Sequence, residues 1–437
     1  MIQDLVAWDL EHNWHPCAQM KDYEIFKPMV LRSAQGSWIE LEDGRRLIDG
    51  ISSWWSKSLG HGHPRLRRAL LEQVEKFEHV MFAHTTHQVI VELSERLASL
   101  SPGLSRINYS SDGSCAVEVA IKMSLHAQQL LGRPQRTEFM SLENAYHGET
   151  CAALAMTSVE RFRKPYQSLL PNVHYLEGIP YVSGISDHLW NDCGEIWPMI
   201  EQQLNPLSER LSAILVEPIV QGAAGMLIYS ADFLKRLRAW TEAHGIHLIA
   251  DEIMTGIGRT GLPLASYYGD IQPDFLCLGK GLTSGWLPMS VMLTRDSIYQ
   301  LFYDDYENGK SFLHSHTFSG NALAAAVALE CLKVMDDEKI YAKVQEDQAY
   351  LQSLFQAVAD ETGELENIRG IGAIVAGDLK VRNPGERRGF SFYQKAAELG
   401  AIIRPLGNTL YWAPPLNTDR ETLQKLQSIT LKALQTL

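Results

Sequence analysis

Apolar positions recur at helical spacing in "PRLRRALLEQVEKFEHV" (64–80) and "TTHQVIVELSERLASL" (85–100), which predicts two amphipathic helices. Beyond them come short, mainly apolar runs: "RINYS" (106–110), "TEFMSL" (137–142), "SAILVEPIV" (212–220), "IHLIAD" (246–251) and "DFLCLGK" (274–280). A strand buried on both faces needs no polar alternation, and each of these runs ends in polar or small residues. Helical segments between such strands predict an α/β fold with a mainly parallel sheet covered by helices, and ligands in such sheets lie beyond the carboxyl ends of the strands. Ahead of this region, "SWIELEDGRRLID" (37–49) alternates on both sides of Asp43-Gly44 and reads as a hairpin. Residues 321–362 read as a long helical stretch, followed by "IRGIGAIVAGDL", the helix "YQKAAELG", "AIIRPLGNTLYWAPPL" and a final helix. The pattern predicts a large domain over 61–332 and a smaller α+β domain assembled from 1–60 and 333–437, with no internal repeats.

Composition narrows the function classes. The 437 residues are 45% hydrophobic and 21% charged, with net charge −13 and no Lys/Arg block, which argues against nucleic acid or an anionic membrane as the main partner. The start, "MIQDLVAWDLEHNWHP", has neither the basic and apolar regions nor the cleavage site of a signal peptide, and no apolar run approaches membrane-spanning length. A cytoplasmic location is expected. Six cysteines without any CxxC suggest neither a disulfide framework nor a zinc site, and His314 and His316 in "HSHT" lack a carboxylate or thiol at ligand spacing, so no metal site is expected. His61 and His63 in "GHGHP" read as turn and helix-start residues.

The chemistry concentrates at strand ends. "DEIMTGIGRTG" (251–261) contains a GxGxxG pattern, but five residues separate the apolar run from its first glycine, and Pro263 stands where a phosphate-holding helix needs a free N–H. The weight falls instead on Asp251. It lies 29 residues before Lys280, each at the end of an apolar run, so adjacent parallel strands place both side chains at one rim. Taken alone, the pair is also accounted for by an ion pair at the sheet edge. In "NYSSDGSCAVEVAIKM" (108–123), Gly113 and Ser114 sit between strand and helix, where free N–H groups and a hydroxyl form a phosphate cradle; capping by Asp112 or Ser114 explains the same residues equally well. "NAYHGET" (144–150) adds the ring of Tyr146. A lysine amine, a carboxylate, a phosphate cradle and an aromatic plate are together what pyridoxal phosphate requires. The lysine forms an imine, the carboxylate keeps the pyridine nitrogen protonated, and the ring stacks on the cofactor.

With these residues in place, the chain resembles a class III (ω-)aminotransferase of fold type I over nearly its whole length. "FLCLGKGLTSG" is similar to the family's segment around its Schiff-base lysine, and "VEPIVQGAAGM" and "ADEIMTGIGRTG" to the segments around its pyridine-binding Asp. The resemblance implies a pyridoxal phosphate enzyme in which Lys280 is catalytic and Gly113, Ser114, Tyr146, Asp251 and Lys280 bind the cofactor. It also implies a homodimer with shared active sites, because a Thr from the neighbouring subunit completes the phosphate site and "HSHTFSGN" supplies Thr317 there, beside Ser315.

Within the family, "WHPCAQM", "DGISSWWSKSLGHGHP" and "IRPLGNTLYWAPP" resemble the branch that aminates 8-amino-7-oxononanoate in biotin synthesis by a ping-pong cycle, usually with S-adenosylmethionine as amino donor. Met254 fits that branch, since other class III members carry Gln there. The implied substrate contacts are Cys17, Trp54, Trp55, Tyr146, Arg259, Lys280, Ser315, Arg404 and Tyr411. A long aliphatic acid needs an apolar channel with a cation for its carboxylate, which suits aromatic walls and Arg404; core packing of the Trp pair and a structural salt bridge of Arg404 are the plainer readings. Two departures bear on the donor: Cys17 stands where S-adenosylmethionine users usually have Tyr, and Glu149 where they usually have Asp. Lysine as donor, another ω-aminotransferase, or a cofactor-binding regulator are the alternatives. The regulator is disfavoured because the catalytic set is complete and no basic DNA-binding domain is present. Ala322 in place of a frequent Pro is neutral.

Overall fold

The computed structural model describes residues 2–383 and 385–437. Its centre is a sheet of seven strands among the described residues, ordered Arg106–Ser110, Ser290–Thr294, Phe275–Leu278, His247–Asp251, Leu211–Val216, Glu138–Leu142 and His174–Leu176. Ser290–Thr294 pairs antiparallel with both its neighbours, and the other pairings are parallel. Both faces are buried, as the unbroken apolar runs require. Ile214, Val216 and Leu248 face a core that includes Phe233, Leu234 and Leu237 of helix Ala231–Ala243. Ala213, Leu215 and Ile249 face the opposite way, onto Ala116, Val117 and Ala120 of helix Gly113–Leu130.

Five strands therefore stand where the apolar runs placed them, and the differences have local causes. The run 212–220 stops as a sheet strand at Val216, because Pro218 has no N–H to donate, and Val220–Gln221 joins a separate three-stranded sheet. The first predicted helix ends at Val74, with the Gln73 side chain bonding the Phe77 carbonyl 2.9 Å away. The long helical stretch is two helices, Ala322–Asp337 and Ile340–Thr362, broken at Lys339 with φ 52°.

The 37–49 hairpin is present as Trp38–Leu41 and Arg46–Asp49, with Gly44 at φ 86° in its turn. Leu31–Gln35 extends this sheet on one side. On the other, Ala401–Ile402 pairs parallel with Arg46–Asp49, joining the N-terminal segment to the C-terminal one. There Leu365–Ile371, Ile374–Leu379 and Thr409–Trp412 form an antiparallel sheet, packed through Phe355, Phe392, Trp412 and Leu426 against the helices Ile340–Thr362, Arg388–Leu399 and Arg420–Gln435.

Candidate active site

Parallel register sets Asp251 opposite Cys277, and Lys280 follows three residues later, so carboxylate and amine share one rim of the sheet. Asp251 is buried, and its Oδ2 accepts a hydrogen bond from His147 Nδ1 at 2.8 Å while Oδ1 accepts from the Ile253 N–H at 3.1 Å. Donation from Nδ1 leaves Nε2 of His147 as the other ring nitrogen. That nitrogen is buried without a hydrogen-bond partner among the described residues. Lys280 opens a single 3-10 turn, Lys280–Thr283, with φ 41°. Its Nζ lies 5.2 Å from the centre of the Trp55 ring and has neither hydrogen bond nor ion pair among the described residues. Desolvation lowers its pKa, with Asp251 and Glu217 pulling the other way. An amine so placed is biased toward the neutral, nucleophilic form.

Two further buried carboxyls flank the pair. Glu217 accepts from the Tyr146 N–H at 2.9 Å and the Gly222 N–H at 3.0 Å, and burial, reinforced by the charge of Asp251, pushes it up to about 7 against the pull of His147 and those two N–H groups. Glu252 is also pushed up to about 7 by burial, but it is spent on the backbone of Ala265 and Ser266.

The helix Gly113–Leu130 starts beside this cluster. Asp112 caps it, its Oδ1 accepting from Cys115 N–H at 3.1 Å, while the first-turn N–H groups of Gly113 and Ser114 have no acceptor within the helix. Asp112 does the capping, and Ser114 does something else: its Oγ accepts from the Glu149 N–H at 3.2 Å. Gly148, at φ +124°, makes that approach feasible, because a Cβ there would fall 2.2 Å from Ser114 Oγ. The residues present fit pyridoxal phosphate: an unpartnered lysine amine, a carboxylate with its own buried histidine, and open N–H groups at a helix start.

The walls come from the chain's two ends. Ser52, Ser53, Trp54 and Trp55 all have positive φ (50°, 45°, 62° and 69°), one turn of left-handed backbone. At about 1–2 kcal/mol per L-residue this costs on the order of 4–8 kcal/mol, so its surroundings must hold it. The Trp54 ring lies 4.7 Å from the Arg404 guanidinium carbon. Trp55 Nε1 donates to the hydroxyl of the fully buried Tyr411 at 3.1 Å. Arg404 Nη2 donates to the Cys17 carbonyl. Tyr146 donates its hydroxyl to Glu149 Oε1 at 3.0 Å, and Cys17 Sγ lies 4.0 Å from the same oxygen.

Cys17, Trp54, Trp55, Tyr146, Arg404 and Tyr411 thus meet around Lys280 and Asp251 through a chain of contacts. Arg259 lies deeper than most of these residues. It is 2% exposed, with Nη1 bonded to the Pro414 carbonyl at 2.7 Å and Nη2 to Ser52 Oγ at 3.2 Å, so its guanidinium supports the left-handed turn. Ser315 and Thr317 are exposed, and no hydrogen bond among the described residues joins them to the cluster; the Thr317 carbonyl accepts from His79 Nε2 at 2.9 Å. His147 and Glu217 were not singled out in the sequence, although His147 directly follows Tyr146 and Glu217 lies in "VEPIVQGAAGM".

Comparison with known proteins identifies the family. The family model for "Aminotransferase class-III" matches residues 19–434. The adenosylmethionine-8-amino-7-oxononanoate aminotransferase of Helicobacter pylori is 36% identical over 434 residues, covering 97% of this chain and 96% of that protein. The crystal structure of the enzyme of that name from Methanocaldococcus jannaschii superposes with a TM-score of 0.91 at 27% identity, covering 100% of this chain and 99% of that one. A PLP-bound amine transaminase from an uncultivated Pseudomonas species superposes with a TM-score of 0.89 at 28% identity, covering 97% and 98%. The chain belongs to the class-III aminotransferases, enzymes that use pyridoxal phosphate.

Proposed function

We propose that this chain transfers an amino group to 8-amino-7-oxononanoate, giving 7,8-diaminononanoate in biotin synthesis, with S-adenosylmethionine as donor. The observation that carries the reading is the pair of indoles, one over Lys280 and the other over Arg404, because it sets an apolar wall between an amine and a cation. A fatty-acid-like chain needs that order of groups, and the same aromatic faces accept a sulfonium cation.

Bound pyridoxal phosphate supplies a carbonyl that condenses with amines and a ring that withdraws electrons from the carbon losing its proton. Lys280 would hold it covalently, Asp251 its ring nitrogen, Gly113 and Ser114 its phosphate, and Tyr146 one face of its ring. Lys280 would also move the proton, and desolvation, which lowers its pKa, favours the neutral amine that this task needs. Asp251 is kept oriented by His147. Arg404 binds the substrate carboxylate against Trp54, and Tyr411 fixes the tilt of Trp55 through its hydroxyl. Donor and acceptor use this one site in turn.

The reading extends to the assembly. Thr317 and Ser315 lie on a segment where Leu313 and Phe318 are 87% and 61% exposed, which suits burial against a second copy of the chain and delivery of Thr317 to its phosphate site. Residues 61–332 then form the large cofactor domain, with 1–60 and 333–437 as the smaller one, in a cytoplasmic enzyme; among the described residues no helix is long and apolar enough to cross a membrane. The test is product analysis by mass spectrometry with S-adenosylmethionine, lysine and other amines supplied singly. Diaminononanoate from S-adenosylmethionine, absent with Lys280→Ala, supports the reading. Product with lysine alone reassigns the donor, and no product with any amine overturns the acceptor.

A further inference from the structure

We propose that Asp49, braced by His61, is a positioning residue that holds both indoles of the site in place. It touches neither Lys280 nor Arg404, and acts through the left-handed turn Ser52–Trp55. Asp49 ends the strand Arg46–Asp49 and is fully buried. Its Oδ1 accepts from the Ser53 N–H at 2.9 Å, and its Oδ2 accepts from Ser53 Oγ at 2.7 Å and from His61 Nε2 at 2.8 Å. Three donors thus converge on one carboxylate, and two belong to a residue at φ 45°. His61 is fixed in turn by backbone bonds to Gly36 at 2.8 and 2.9 Å. On the other side, Ser52 Oγ donates to the Ala413 carbonyl at 2.7 Å and receives Arg259, which also holds Pro414. The turn is clamped from both ends.

The clamp has a consequence for the site. Neighbouring residues on a strand point to opposite faces, and on a right-handed helix they diverge by about 100°. Here Trp54 reaches Arg404 while Trp55 reaches Lys280, and the left-handed backbone sets the sense in which the two consecutive side chains diverge. The register reinforces this: Asp49 pairs with Ile402, two residues before Arg404, so one strand pairing sets the height of both the turn and the guanidinium. Without the carboxylate the turn loses the bonds that hold Ser53 and is clamped only through Ser52, so Ser53 is freer to leave positive φ and to move both rings with it.

This rests on the proposed function only for the choice of acceptor. The experiment is steady-state kinetics on the holoenzyme with Asp49→Ala and Asp49→Asn, recording the absorbance of the bound cofactor in each. Asp49→Ala is expected to raise KM for the oxo acid roughly 10-fold or more, as displacement of a binding wall does, with the cofactor spectrum retained. Asparagine can accept from the Ser53 N–H and donate to Ser53 Oγ and to the other tautomer of His61, so Asp49→Asn is expected to stay within about 3-fold of wild type. Unchanged KM in Asp49→Ala, or equal impairment in the two variants, overturns the proposal. Should Asp49→Ala fail to fold, Ser53→Ala decides: it removes one of the three bonds, and KM must rise roughly 3-fold for the proposal to stand. If the wild type does not use 8-amino-7-oxononanoate, the functional reading fails separately, and the same comparison is run with the keto acceptor it does use.

Discussion

Replacing Glu217 by Gln should make stability less dependent on pH while impairing the site. Burial moves this carboxyl from 4.5 to about 7 in the folded chain. The sign follows from which state holds the proton. Below pH 4.5 the carboxyl is protonated in both states and costs nothing extra. Between pH 4.5 and 7 the unfolded chain ionises while the folded one retains its proton, so stability falls as pH rises, and above 7 the loss is complete. A displacement of roughly two and a half pH units, at about 1.4 kcal/mol each, gives on the order of 3 kcal/mol. Gln does not titrate, so the stability difference between Glu217→Gln and wild type should grow in favour of the variant by about that amount from pH 4 to 8. A constant penalty opposes it: one carboxamide oxygen serves two N–H groups poorly, and leaving that of Tyr146 or Gly222 unpaired costs about 1–3 kcal/mol. The penalty shifts the difference at every pH but leaves its slope untouched. Denaturant unfolding of cofactor-free protein at several pH values, both chains side by side, reads the slope. A difference that stays flat from pH 4 to 8 refutes the claim that burial beside Asp251 holds this carboxyl protonated.

Other substitutions probe other parts of the molecule. Lys280→Ala should lower turnover by at least about 10³-fold in single-turnover absorbance measurements, since it removes the proton carrier as well as the cofactor bond; substantial residual turnover would place the proton elsewhere. Arg404→Leu should raise KM for the oxo acid roughly 10- to 100-fold, matching the loss of a charge-assisted bond, with a smaller effect on kcat; an unaltered KM would free Arg404 from the substrate carboxylate. Trp412→Ala should cost about 3–5 kcal/mol, because Trp412 is fully buried, meets Phe355 edge-on at 4.9 Å and bonds Thr430 through Nε1. An unfolding midpoint close to wild type would show that the C-terminal core repacks.

The large sheet was legible because it is buried on both faces: runs such as "AILV" (213–216) contain no polar interruption, and the ends of such runs fix where chemistry must sit. Ser290–Thr294 escaped notice as a strand because its five residues lie between a Pro-containing turn and a short helix, with no periodicity long enough to separate strand from coil. The position of Asp251 at the end of its strand, and of Lys280 just beyond the next one, was readable for the same reason as the strands themselves. Sequence shows Arg259 as a cation near a glycine loop but not that its Nη1 and Nη2 also bond Pro414 and Ser52. The left-handed turn was invisible, since Ser, Ser, Trp and Trp have no local preference for positive φ. Asp49 and His61, which flank it, and Arg259 and Ala413, from two distant parts of the chain, hold it there. Tertiary contacts of that kind leave no periodic trace.

The central claim is that Lys280 is the residue to which pyridoxal phosphate is bound. Borohydride reduction of the purified holoenzyme followed by peptide mapping tests it most directly. The account predicts a phosphopyridoxyl mass on the peptide containing Lys280 and on no other. A label on Lys57, a second lysine whose pKa burial lowers, or the absence of any label, would contradict it.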